Sequence, residues 1–240
     1  VLPNFWEFEN RTRRDNRSNR QLRNRRRSIS TPREARKGPG QMLRAVSETG
    51  FDLHFSIFGI PVRVHPLHWL TALYIAWTPS EPIMTLVKVL CVVVSILIHE
   101  LGHALCLRYF HYPSEIVLHG FGGYATSTRL STWRSVLVSF AGPFAQIVFW
   151  SFLLIIWIVA LANRLQWADS TIGDDLMLFL TFTNVGWVIL NLMPILPLDG
   201  GRIVEAIVNG YLPRFAPVLT LRTSILAAAL LAYAAYQIDD

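Results

Sequence analysis

Charge is scarce in this 240-residue chain. Asp, Glu, Lys and Arg make up 16% of it and hydrophobic residues 52%, where an average soluble domain carries about 25% charged residues. With a mean hydropathy of +0.36, the composition argues against an ordinary soluble domain and for a polytopic membrane protein. Cysteine is scarcer still. Cys91 and Cys106 lie fifteen residues apart on one expected helix, roughly 22 Å along its axis, which excludes a disulfide between them. They are read as packing residues, and no redox compartment follows from them. The first forty-one residues contain no apolar stretch of the kind a cleavable signal peptide needs. No internal repeat of solenoid length is present.

The formal net charge of +6 is unevenly spread: residues 1–40 hold twelve Lys or Arg against four Asp or Glu. Residues 1–41 are therefore expected to be a basic, disordered tail that little apolar surface could fold. Aromatic residues do not interleave with its arginines, so no nucleic-acid partner is expected. Attraction to an anionic membrane surface fits better. Met42 stands where the composition turns ordinary, and residues 42–240 are expected to form the working domain without the tail.

What the chain does have is a metal-ligand motif in an apolar run. His99, Glu100 and His103 form H-E-x-x-H at the end of Val92-Val93-Val94-Ser95-Ile96-Leu97-Ile98. Residues four apart share a helix face, so the two histidines can reach one ion. Glu100 lies about 100° further round, placed to act on a bound water rather than as a ligand. Ionisable groups in a membrane helix cost about 2.5–3.5 kcal/mol each on insertion scales, which marks such a group as functional. A catalytic zinc has three protein ligands and an open position. The best third candidate is Asp199, in Asn191-Leu192-Met193-Pro194-Ile195-Leu196-Pro197-Leu198-Asp199-Gly200-Gly201. Pro194 and Pro197 would break a helix there, which a membrane tolerates only where the backbone lines protein or a wet cavity.

Around these motifs the expected architecture is all-α, with about five to six transmembrane helices and small β elements at the cytoplasmic face. Period-two alternation over residues 51–64, interrupted at Phe58-Gly59, predicts a β-hairpin closed by His65-Pro66. Apolar stretches follow at 67–77, which is short, then at 82–110, 133–162, 174–194 and 212–236. A short helical or re-entrant piece is expected at 198–209. Residues 116–128, with Gly120-Phe121-Gly122-Gly123, read as an irregular or strand-like loop. That loop is either a plain connector or a strand against which a substrate segment could pair. Arg108, Arg129, Arg134, Arg202 and Arg214 fall on the tail's side of the membrane, so the N-terminus and the motif end are expected to be cytoplasmic, in a cell membrane.

Other polar residues receive plainer readings. His65 and His68 are expected to be interfacial or hydrogen-bonding, and His54, His111 and His119 to be loop residues. Glu115 and Glu205 are taken as surface carboxylates, and Gly142-Pro143 as a packing or kink site.

H-E-x-x-H in a membrane span, followed by N-x-x-P-x-x-P-L-D-G-G, resembles the site-2 protease family of intramembrane zinc metalloproteases. The likeness extends over most of residues 52–210, including the G-F-G-G loop and Ala141-Gly142-Pro143. It implies one zinc ion held by His99, His103 and Asp199, with Glu100 as the catalytic base. Asn191 would help hold the substrate carbonyl or its oxyanion, though packing between helices is the alternative for that amide. The implied partners are a transmembrane-helix substrate and the lipid bilayer. No PDZ insert or CBS pair of the kind some members carry is recognisable. Two other readings stay open at this point, a catalytically silent helix-binding relative and a membrane metal transporter. A transporter should spread polar residues through several spans, whereas here they cluster at one site.

Overall fold

A computed structural model describes residues 48–120, 122–125, 130–168 and 170–238; the expected basic tail lies outside them. The chain begins with a β-hairpin, β1 (Leu53–Ile57) and β2 (Ile60–Val64). Phe58 and Gly59 turn it with φ of 51° and 74°, the positive values a tight two-residue hairpin turn requires. Alternation places Ile60, Val62 and Val64 of β2 in the core and leaves much of β1 exposed. Pro66 then opens α1 (Pro66–Ala76) at a position where a missing N–H costs nothing, and the His65 ring accepts a hydrogen bond from Leu67 N.

The main membrane elements follow. Helix α2 (Pro82–Tyr109) carries H-E-x-x-H. After β3 (Ile116–His119) and β4 (Gly122–Ala125) come α3 (Thr132–Ala162) and α4 (Thr171–Asn191), which contains a π turn over Phe182–Gly186. Two further helices are α5 (Asp199–Tyr211) and α6 (Ala216–Ile238). Four of these, α2, α3, α4 and α6, are long and apolar enough to cross a membrane. Helices α1 and α5, with 11 and 13 residues, are too short for a full perpendicular crossing of about 20 residues. Phe144, Val148, Phe152 and Ile155 on α3 and Leu226 and Leu230 on α6 are each more than half exposed. In a soluble protein they would be a liability; around an integral membrane protein they form a lipid-facing surface.

The strand-like reading of residues 116–128 holds in β3 and β4, and they are more than a loop. The four strands form one sheet in the order β1-β2-β3-β4. Strands β2 and β3 pair in parallel, with Val62 opposite Ile116 and Val64 opposite Leu118, while β3 and β4 pair antiparallel. Ile60, Val62, Val64, Ile116 and Leu118 pack with Ala72 and Ala76 of α1 and with Val89, Val92 and Ile96 of α2 in a single core. His54 and His119 therefore lie on strands rather than in loops, and His111 sits in the turn after α2 with φ 63°. Cys91 and Cys106 are free and half-buried on α2.

Candidate metal centre

Helices α2 and α3 cross where small residues let their backbones meet. A Cβ on Gly102 would lie 2.4 Å from the Ala141 carbonyl, and one on Gly142 would lie 2.3 Å from His103 Nε2. The His103 ring thus fills the space that Gly142 leaves. Four residues along α3, on the same face, Gln146 meets His99. One i, i+4 pair lies against another.

These contacts orient both imidazoles. His103 Nδ1 lies 2.6 Å from the Val138 carbonyl, which can only accept, so that nitrogen carries the proton. His99 Nδ1 lies 2.9 Å from Gln146 Oε1, and Gln146 Nε2 in turn donates to the Thr183 carbonyl in the π turn of α4 at 3.3 Å. That second bond fixes which end of the amide faces His99. In the neutral tautomer that these partners select, each ring offers its Nε2 lone pair to a metal.

The two Nε2 atoms face each other and Asp199. They are 3.1 Å apart, and Asp199 Oδ2 lies 3.0 Å from His99 Nε2 and 3.3 Å from His103 Nε2. Three acceptor atoms in so small a space repel one another unless a cation or proton joins them. Ligands about 2.0–2.1 Å from a tetrahedral zinc would sit about 3.3 Å apart, so the donor set and its spacing fit such an ion. Among the described residues this is the only group of three or more His, Cys, Asp or Glu side chains that could hold a metal, and all three are buried. Asp199 reaches the site because Leu198 ends the proline-broken connection and α5 starts at Asp199 itself. Gly200 and Gly201 let that first turn pack directly on the backbone of Leu192 and Ile195.

Glu100 is buried beside the histidines on α2. Asn191 is 9% exposed and one of its amide hydrogens is used within α4, donated to the Trp187 carbonyl at 3.1 Å. His68 donates from Nδ1 to the Gly120 carbonyl at 3.2 Å, tying α1 to the turn before β4. Glu115 and Glu205 are exposed. Gln146 was not singled out from the sequence. The available signal was an amide in an otherwise apolar helix, four residues after Gly142.

No protein-family profile matches the sequence. A zinc metalloprotease of Methanocaldococcus jannaschii is 30% identical over 165 residues, 66% of this chain and 46% of that protein. Stage IV sporulation protein FB of Bacillus subtilis is 30% identical over 179 residues, 72% of this chain and 56% of that protein. A putative zinc metalloprotease of Synechocystis is 29% identical over 169 residues, 64% of this chain and 43% of that protein. The chain spans about half the length of these relatives. The solved structure of a site-2 protease from Methanocaldococcus jannaschii shares its fold, with a TM-score of 0.51 and 23% identity over 75% of this chain and 79% of that one. Motif pair, fold and zinc-metalloprotease relatives agree in their likeness to the site-2 protease family.

Proposed function

We propose that this protein is an intramembrane zinc-dependent endopeptidase that hydrolyses peptide bonds in or near transmembrane segments of membrane proteins. The observation that carries the reading is the convergence of His99 Nε2, His103 Nε2 and Asp199 Oδ2, with both rings locked from behind. Relatives named as zinc metalloproteases support zinc as the ion. When bound, it would supply Lewis acidity toward the scissile carbonyl and toward water.

The protein's own groups divide the remaining work. His99, His103 and Asp199 hold the ion. Glu100 takes the proton from the attacking water and returns it to the leaving amine, so the peptide bond breaks with one water added. Asn191 keeps one amide hydrogen to steady the carbonyl oxygen as charge develops there. Strand β4 is one edge of the sheet, and an unwound substrate segment can add to it as a further strand. Membrane helices hide their carbonyls in hydrogen bonds, so this unwinding has to precede hydrolysis. With α1 and α5 entering the membrane as short or tilted segments, the membrane helices would number five to six, and the arginine distribution favours a cytoplasmic metal end and N-terminus. The basic charge of residues 1–41 suits attraction to an anionic membrane surface.

The test is cleavage of a generic transmembrane-helix substrate by wild type and Glu100→Gln, with bound zinc measured in both. Expected are one zinc per chain in each and cleavage by wild type alone, with the variant down about 10²–10⁴-fold. Wild type without zinc after native extraction would overturn the ligand set. An active Glu100→Gln would remove Glu100 as the base. Multiple or transported ions would favour a transporter.

A further inference from the structure

The connection from α4 to α5 carries Asp199, and its backbone donors can be counted completely. Leu192 N donates to the Val188 carbonyl, Met193 N to Leu190, Ile195 N to Met193 and Leu198 N to Ile195, at 2.7–3.1 Å. All four bonds are local. Pro194 and Pro197 have no N–H to give. Leu196 N is the exception, because it donates at 3.1 Å to Ser224 Oγ on α6, twenty-eight residues away. Ser224 is itself held, donating from Oγ to the Thr220 carbonyl at 2.8 Å. Ser224 is 7% exposed and Thr220 2%, so the tether lies away from water, where losing a partner is costly.

The tethered residue is three positions before Asp199 and lies against its helix. A Cβ on Gly201 would come within 2.6 Å of Leu196 N. The first turn of α5 therefore rests on the backbone that Ser224 holds, and Asp199 opens that turn. We infer that Ser224 is a positioning residue for the metal centre: through Leu196 it fixes the connection on which the Asp199 carboxylate is presented to His99 and His103. Helix α6 thereby becomes part of the metal site, although the sequence motifs end well before it.

The inference rests on the metal site proposed above, so the test reads metal affinity directly. Zinc dissociation constants are measured by chelator competition on the full chain in detergent, for wild type, Ser224→Ala, Ser224→Thr and Thr223→Ala, alongside the melting temperature of each metal-free protein. Thr223 also donates to the Thr220 carbonyl and controls for loss of a neighbouring hydroxyl. Ser224→Ala is expected to weaken zinc binding about tenfold, the lower end for residues that orient ligands. Ser224→Thr restores affinity, and Thr223→Ala leaves it unchanged. Affinity in Ser224→Ala within twofold of wild type overturns the inference, as does a fall in melting temperature that Ser224→Thr corrects without any change in affinity. If Ser224→Ala does not fold, Ser224→Cys replaces it, since a thiol accepts the same bond more weakly. Intermediate affinity then supports the role and wild-type affinity overturns it. Wild type that binds no zinc fails the ligand set itself, a result distinct from these.

Discussion

Gly142 and His103 share one space: a Cβ on Gly142 would stand 2.3 Å from His103 Nε2, the atom that faces Asp199. The glycine is needed for the metal centre's geometry as well as for the close approach of α2 and α3. Gly142→Ala should therefore push the ring off the site. The expected result is loss of tight zinc binding together with cleavage, in a protein that still inserts and remains helical. Zinc stoichiometry and circular dichroism on the same preparation check this. A Gly142→Ala protein with wild-type zinc content would show that the ring and helix crossing can yield without cost.

Gln146 tests the orientation of the other ring. Its Oε1 accepts a hydrogen bond from His99 Nδ1 while its Nε2 donates to the Thr183 carbonyl. Gln146→Leu keeps the volume but leaves that N–H without an acceptor in a buried site. Zinc affinity is expected to fall about 10–100-fold, as when other partners that orient metal-bound histidines are removed. Glu at this position retains an acceptor and should bind zinc more tightly than Leu. Equal affinities for the two variants would show that the amide does not orient His99.

Lys88 makes a different kind of contact. It is buried within α2, with Nζ 2.7 Å from Asp175 Oδ2 at the start of α4 and 5.3 Å from the centre of the Phe179 ring. Removing Asp175 strands a cation among apolar side chains, whereas removing Lys88 leaves a half-exposed carboxylate that water can reach. Asp175→Asn should thus lower the melting temperature more than Lys88→Met, and the double variant should recover most of the loss. Thermal unfolding in detergent of the two single variants and the double checks the order. A larger loss in Lys88→Met would reverse the argument.

The motifs were readable because each is local. Alternation in residues 51–64 predicts β1 and β2, and the proline-rich run before Asp199 predicts a broken helix. What was hidden is long-range. Whether residues 54 positions apart pair, as Val64 and Leu118 do, depends on α1 and α2 returning the chain to the same edge. Gln146 and Ser224 act on residues 47 and 28 positions away, and neither lies in a pattern with a fixed period. The π turn is similarly silent, since its effect is to aim the Thr183 carbonyl at Gln146 and nothing in Phe182-Thr183-Asn184-Val185-Gly186 prescribes it. The length of a span was equally hard to read, because an apolar run does not say where its helix stops.

The hairpin carries its own pH signature. Asp52 is enclosed just before β1, where the Thr49 hydroxyl donates to Oδ1 at 2.5 Å and Arg63 Nη1 donates to Oδ2 at 2.9 Å. The Thr49 hydroxyl first, and then Arg63, hold its carboxyl down to about 2, from an ordinary 3.8. A depressed carboxylate stabilises the fold above its unfolded value, and that contribution is lost as pH falls through the folded one. The stability difference between wild type and Asp52→Asn should therefore be constant from pH 7 to about pH 5. It should shrink between about pH 4 and pH 2 as wild type takes up the proton. Thr49→Ala removes the largest cause and should move that window upward while leaving the Arg63 pair in place. Chemical unfolding of the three proteins across this range, followed by tryptophan fluorescence, checks the order. A wild-type advantage that fades above pH 5 would mean that another group sets it.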